Sequence, residues 1–376
     1  MVHCSKQIRG NAMGMTTEAM ALATQLTRAG RLAEATRVIQ QALGGGEARQ
    51  PGASEPELEP SDDGVIDDVP FREIAPETPR IGTTARHAPR PRAASFTAHV
   101  FVHRGHRWRY RLYEPERADP TVLLPVIVML HGCKQDSEDF ARGTRMNDVA
   151  ARDGFLVVYP EQLRKANQMG CWNWFEPQNQ RRDAGEPAMI AALVASVLAQ
   201  HGGDPQRVYV AGLSAGGAMA ATLGELYPDV FAAVGIHSGL PPRAAHDVQS
   251  AFSAMRKGSG AIVPAARSLL PTIVFHGSGD KTVAPGNGEA VVQRQVAAAA
   301  ANGKRLERRE ERVSGARAGT RIEWLDEGGK PVVESWQVTA GPHAWSGGHA
   351  TGSFTDPQGP SASEAMAAFF LRHRRG

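Results

Sequence analysis

The stretch RVYVAGLSAGGAMAATL, residues 207–223, limits the fold more than any other part of this 376-residue chain. An apolar, β-rich run passes through Gly212-Leu213-Ser214-Ala215-Gly216 directly into a pattern of small helical residues. Strand and helix therefore meet at a very short turn with a serine at its apex. Such an elbow crowds the backbone, and glycines two residues to either side relieve the crowding while the hydroxyl projects beyond the sheet edge.

The same alternation extends over most of the chain. HVFVH and RWRYRLYEP predict an opening β-hairpin, and VIVMLHGC at 126–133 predicts a buried strand. A helical stretch over 137–153 leads to the strand FLVVYPEQ and then to a loop rich in Trp and Asn. A helix over 187–201, the strand RVYVAGLS, a helix to 226 and the strand FAAVGIHSG follow. After an irregular insertion at 241–270 come the strand TIVFHGSGD, an Ala-rich helix, two late strands around RIEWLD and VVESWQVTA, and a last helix from Ser363. Strands alternating with helices imply an α/β fold with a mostly parallel central sheet and helices on both faces.

The first 95 residues read differently. Helical spacing over residues 17–43 pairs Leu22 with Leu26 and places Leu32, Ala35, Ile39 and Leu43 on a second stripe, broken at Ala29-Gly30, which predicts a short helical hairpin within an N-terminal appendage over 1–43. Residues 44–95 hold eight prolines between Pro51 and Pro91 and acidic residues from Glu55 to Glu77. That composition does not bury enough apolar surface to offset ordering, so a disordered linker is expected, with the α/β domain over 96–376. The hairpin is read as a docking or solubility appendage. A protein partner for it is left open, without a residue pattern to identify one.

Composition excludes several functions. Net charge is +3, from 42 basic against 39 acidic residues, which points to neither nucleic acid nor a membrane surface. No window approaches the roughly 18 apolar residues of a membrane helix. The opening MVHCSKQIRGNAMGMTTEAM lacks the apolar core of a secretory signal, which reads as a cytoplasmic address. Cys4, Cys133 and Cys171 have no zinc-site spacing, so no metal is expected, and a pairing of Cys133 with Cys171 stays open.

Ser214 gains meaning from its partners. A serine hydroxyl needs a base to take its proton, and the base needs a carboxylate to fix its tautomer. On a sheet of this kind the chain order is Ser, then Asp or Glu, then His, each after a strand. Asp280 follows TIVFHGSG and His343 follows the last strand in AGPHAWSGG. His237 and His276 lie in or at the end of apolar strands and read as structural, and His349 is a lesser competitor of His343. The developing oxyanion needs two amide donors, assigned to Ala215 after the nucleophile and Cys133 in the His131-Gly132-Cys133 loop. His131 reads as structural, with Gly132 permitting a close backbone approach. Trp172, Trp174, Phe175 and Trp345 are concentrated in loops, where aromatic side chains make walls for an acyl or sugar group. The chemistry requires no cofactor.

LHGCKQD (130–136), YPEQ (159–162), CWNWF (171–175), VAGLSAGGAMA (210–220), FAAVGIHSGLP (231–241), HGSGDKTV (276–283) and GPHAWSGG (341–348) together resemble the polyhydroxybutyrate depolymerase-type esterases of the α/β-hydrolase superfamily, which include feruloyl and acetylxylan esterases. The resemblance covers about residues 96–373. It implies the α/β-hydrolase fold and a serine esterase with Ser214, Asp280 and His343 as nucleophile, acid and base. It also implies amide donors at Cys133 and Ala215, and a Cys133–Cys171 disulfide tying the oxyanion loop to the aromatic loop. That bridge sits awkwardly with a reducing cytoplasm, and the resemblance leaves an extracellular address open.

The substrates it implies are short-chain polyhydroxyalkanoate polyesters or oligomers, with a feruloyl or acetylxylan carbohydrate ester as the alternative. A reading of another class, a non-catalytic scaffold with the hairpin as interaction element, runs against the intact nucleophile, acid and base positions. A peptidase could use the same triad, but nothing in the sequence selects for it.

Overall fold

The computed structural model describes residues 93–376 apart from 118, 120 and 259–268, together with Leu22, Gln25, Glu34 and Val38. Those last four residues are each helical. The remainder of the expected hairpin and nearly all of the expected linker lie outside the described residues. Packing divides the chain into two units, Met1–Arg72 and Glu73–Gly376, and the second holds the sheet and every candidate site residue.

Among the described residues ten strands form one sheet in the order β1-β2-β4-β3-β5-β6-β7-β10-β9-β8. They are β1 (Ser95–His103), β2 (His106–Glu114), β3 (Leu124–Leu130), β4 (Leu156–Pro160), β5 (Gly203–Leu213), β6 (Ala233–His237), β7 (Thr272–Gly277), β8 (Glu307–Val313), β9 (Gly319–Leu325) and β10 (Pro331–Val338). From β4 through β3, β5, β6 and β7 to β10 every pairing is parallel. Antiparallel strands finish both ends. A short parallel pair, β11 (Trp345–Ser346) and β12 (Thr355–Asp356), follows.

Strand alternation divides the core into two layers, because successive side chains leave opposite faces of the sheet. Val126, Val128 and Leu130 of β3 with Val208 and Val210 of β5 meet α3 (Gly185–His201), α4 (Ala215–Leu226) and α6 (Gly286–Ala301) on one face. Ile127 and Met129 with Tyr209, Ala211 and Leu213 meet α1 (Ser137–Thr144), α2 (Met146–Asp153) and α7 (Ala362–Phe370) on the other. Helices cover both faces, as the alternation of elements required.

Three elements depart from the sequence reading. The single helical stretch over 137–153 is two helices, because Arg145 adopts a left-handed backbone at φ 53°. The insertion at 241–270, expected to be irregular, contains α5 (Val248–Lys257), whose first turn is closed by a capping box between Asp247 and Ser250. A third late strand, β8, accompanies the two expected. Its sequence ERREERV has charges at six positions and no apolar alternation, because it is an exposed edge strand. Charged edges of this kind discourage pairing with a second chain.

Candidate active site

β5 and α4 meet at Ser214 alone. Its backbone stands at φ 57°, ψ −118°, a conformation costly for an L residue and held only where the surroundings enforce it. The enforcement is visible at both flanking glycines. A Cβ on Gly212 would lie 2.4 Å from the backbone of Gly216, and one on Gly216 would lie 2.1 Å from the Leu130 carbonyl oxygen. The glycines therefore do more than relax the elbow. They let the start of α4 touch the end of β3, where the His131-Gly132-Cys133 loop begins.

Asp280 and His343 come from the loops after β7 and β10, at the same carboxyl edge of the parallel sheet as Ser214. Those two loops run in backbone contact: Gly279 donates its N–H to the Gly341 carbonyl at 3.0 Å. A Cβ on Gly277 would stand 2.1 Å from that same oxygen. The approach brings His343 Nδ1 to 2.7 Å from Asp280 Oδ2. With a carboxylate as acceptor, Nδ1 carries the proton and Nε2 is the basic nitrogen. Asp280 Oδ1 accepts the N–H groups of Thr282 at 2.9 Å and Val283 at 2.8 Å. Burial works against its charge, but the adjacent imidazoles of His276 and His343 and the Val283 amide outweigh burial and hold the carboxyl well below the usual carboxylate range. Ser214 Oγ takes part in no hydrogen bond among the described residues.

His276 Nε2 lies 3.4 Å from Asp280 Oδ2, yet it directs its N–H to the Val283 carbonyl at 2.9 Å. That bond makes it a structural neighbour of Asp280. His237 is sealed between the rings of Phe275 and Trp345, and His349 bonds Thr351 in an exposed loop. The structure thus brings Asp280 and His343 together and leaves the three competing histidines with other partners.

The His131-Gly132-Cys133 loop is fixed at several points. Lys134 N–H donates to the Met169 carbonyl at 2.8 Å, and a disulfide joins Cys133 to Cys171 with Cα atoms 4.2 Å apart. His131 is buried, with Nδ1–H on the Gly132 carbonyl at 2.8 Å and Nε2 accepting the Gln162 N–H at 3.1 Å. The Ala215 N–H belongs to the first turn of α4, where no intrahelical acceptor exists.

The expectation that Trp172, Trp174 and Trp345 wall a substrate pocket is corrected. They are 0%, 4% and 1% exposed, so none presents a face to a ligand. Trp345 packs edge-on to Phe140 and donates Nε1–H to Ser363 Oγ at 3.0 Å. Trp172 packs against His131, and Trp174 against the half-buried Phe175. Their loop setting suggested exposure, but the loops fold back over the sheet.

Sequence reasoning missed the polar network beneath that aromatic loop. Glu186, at the start of α3, accepts from Gln162 Nε2, the Asn173 N–H and Asn173 Nδ2. Burial outweighs these bonds and pushes its carboxyl up to about 7. The richness of the loop in Asn and Gln was the available signal, since such residues in a covered loop must find partners. No cluster suited to a metal ion occurs among the described residues, and none of their helices is long and apolar enough to cross a membrane.

The family model described as "Esterase PHB depolymerase" matches residues 108–317, a span that includes Ser214 and Asp280. Poly(3-hydroxyalkanoate) depolymerase C of Paucimonas lemoignei is 38% identical over 182 residues, 45% of this chain and 44% of that protein. Feruloyl esterase B of Thermothelomyces thermophilus is 35% identical over 141 residues, 37% of this chain and 47% of that protein. The chain spans about half the length of the curated relatives it matches. Among solved structures, an acetyl xylan esterase from Aspergillus awamori superposes with a TM-score of 0.55 at 18% identity, covering 70% of this chain and 94% of its own. That likeness establishes the α/β-hydrolase fold.

Proposed function

The chain belongs to the esterase PHB depolymerase family, and from that premise we propose that it is a serine esterase that hydrolyses carboxylic esters through an acyl-enzyme. The observation that carries the reading is the 2.7 Å contact of His343 with Asp280 at the sheet edge where Ser214 occupies a strained elbow. Ser214 Oγ attacks the ester carbonyl carbon while its proton passes to His343 Nε2. The carbonyl oxygen becomes an oxyanion held by the amides of Cys133 and Ala215. Collapse expels the alcohol, which takes the proton from His343. Water then attacks the acyl-serine by the same route and releases the acid. The Ser214–His343 hydrogen bond forms when substrate closes the gap, as such bonds often tighten only in the complex.

The favoured substrates are short-chain polyhydroxyalkanoate polyesters or their oligomers, in keeping with the depolymerase of Paucimonas lemoignei. The similarity to a feruloyl esterase at 35% identity supports a second reading, a carbohydrate ester. The Cys133–Cys171 bridge is of a kind that persists in oxidising compartments, which suits a substrate met outside the cytoplasm.

Release of 3-hydroxybutyrate from its linear oligomers, measured beside methyl ferulate and p-nitrophenyl acetate with wild type and Ser214→Ala, tests both levels. Oligomer cleavage abolished in the variant supports the polyester reading, and preference for ferulate transfers it to carbohydrate esters. A folded wild type that turns over none of the three esters would overturn the esterase reading.

A further inference from the structure

Building on the reading that the Cys133 amide receives the oxyanion, we infer that Gln135 is a positioning residue that keeps that one amide of the loop free and fixes its direction. Gln135 is 5% exposed, in the turn between β3 and α1. Its Oε1 accepts the Gly132 N–H at 2.9 Å. Its Nε2 donates to Asp139 Oδ2 at 3.1 Å and to the Ser353 carbonyl at 3.0 Å. One carboxamide thus joins the oxyanion loop, the first turn of α1 and a segment ten residues beyond His343.

The role rests on where four successive amides go. Gly132 N–H is taken by Gln135 Oε1, Lys134 N–H by the Met169 carbonyl, and Gln135 N–H by the Gly132 carbonyl at 3.4 Å. Cys133 N–H alone of the four makes no hydrogen bond among the described residues. Cys133 is half-buried, in the loop that follows β3, and β3 pairs with β5 through Leu130 and Gly212 just ahead of Ser214, so its uncommitted N–H is a donor available to a ligand at that sheet edge. Removing the Gln135 carboxamide frees the Gly132 amide as a competing donor and loosens the peptide planes on both sides of Cys133. An oxyanion donor stabilises the transition state only to the extent that it is already aimed. Ser353 braces the clamp from outside, its N–H on Asp139 Oδ1 at 3.0 Å and its hydroxyl on Asp139 Oδ2.

The test compares the full-length wild type with Gln135→Met, which keeps the side-chain length and removes both hydrogen-bonding groups. The measurements are kcat and KM for p-nitrophenyl acetate and the inhibition constant of phenylboronic acid, which forms a tetrahedral adduct on a reactive serine. The expected result is a fall in kcat of about 10- to 100-fold with KM changed less than about threefold, and boronate affinity weakened by a similar factor. Packing damage alone would not move kcat and boronate affinity together at constant KM. If Gln135→Met does not fold, Gln135→Asn, too short to reach Gly132, is measured the same way with the same expectation. A folded variant with wild-type kcat and boronate affinity overturns the inference while leaving the esterase reading intact. A wild type inactive on every ester overturns both.

Discussion

Ser346 donates its backbone N–H to Nε2 of His237 at 2.9 Å, three residues beyond His343. An acceptor nitrogen must be unprotonated, so this bond fixes His237 as the neutral imidazole. Burial, reinforced by the nearby His276 and His343, pushes its pKa down to about 3, although Asp280 pulls the other way. In the unfolded chain the same ring takes up a proton near pH 6.5. Its contribution to stability is therefore complete above pH 6.5 and is lost as pH falls from there toward 3, a change on the order of 5 kcal/mol. His237→Gln, whose side-chain oxygen can accept the Ser346 N–H without titrating, should flatten the urea-melt stability profile over that range. An unchanged slope would mean that other groups carry the acid sensitivity.

Gly216 should not tolerate even a methyl group. The Cβ of Gly216→Ala would meet the carbonyl oxygens of Leu130 and His131 at 2.1 and 2.6 Å, and both are backbone atoms that cannot rotate away. Separating α4 from β3 should cost about 3 kcal/mol or more and misplace Ser214. Denaturant midpoint and esterase rate should fall together, and wild-type values of both would show that the contact relaxes freely.

Asp280→Asn should leave the fold intact and remove the charge that supports the His343 imidazolium. The amide presents either a donor to Nδ1 or an uncharged acceptor, so kcat should fall by about 10³- to 10⁴-fold with KM little changed. Steady-state kinetics on p-nitrophenyl acetate decide this, and a loss below tenfold would assign the charge to a minor role.

The Cys133–Cys171 bridge closes a sequence separation of 38 residues. Denatured, unreduced protein should titrate one thiol and denatured, reduced protein three. Cys171→Ser should lower stability by about 2–4 kcal/mol and reduce kcat, because it frees the loop that carries the Cys133 amide. Three thiols in the unreduced chain would show that the bridge does not form in solution.

Trp345→Ala should act on stability first. The indole is sealed between Phe140 and His237 and bonded to Ser363, so truncation should cost about 3–5 kcal/mol. Thermal unfolding checks the expectation. A stable variant with only a raised KM would return Trp345 to the substrate pocket.

The sequence by itself determined the fold class and the chain order of Ser214, Asp280 and His343. Both come from local chemistry: strand alternation, glycines where backbones crowd, and a serine, an aspartate and a histidine each placed just after a strand. What only the tertiary structure decided depends on groups distant in the chain. Trp172 and Trp345 look like loop aromatics until the loops fold over the sheet and seal them. β8 has no apolar pattern and is a strand only because β9 supplies its hydrogen-bonding partners. Gln135 is an ordinary loop glutamine until Ser353, 218 residues later, arrives to hold its side chain. Periodicity records what a residue does within its own element, whereas burial and pairing are settled by neighbours that the linear order does not contain.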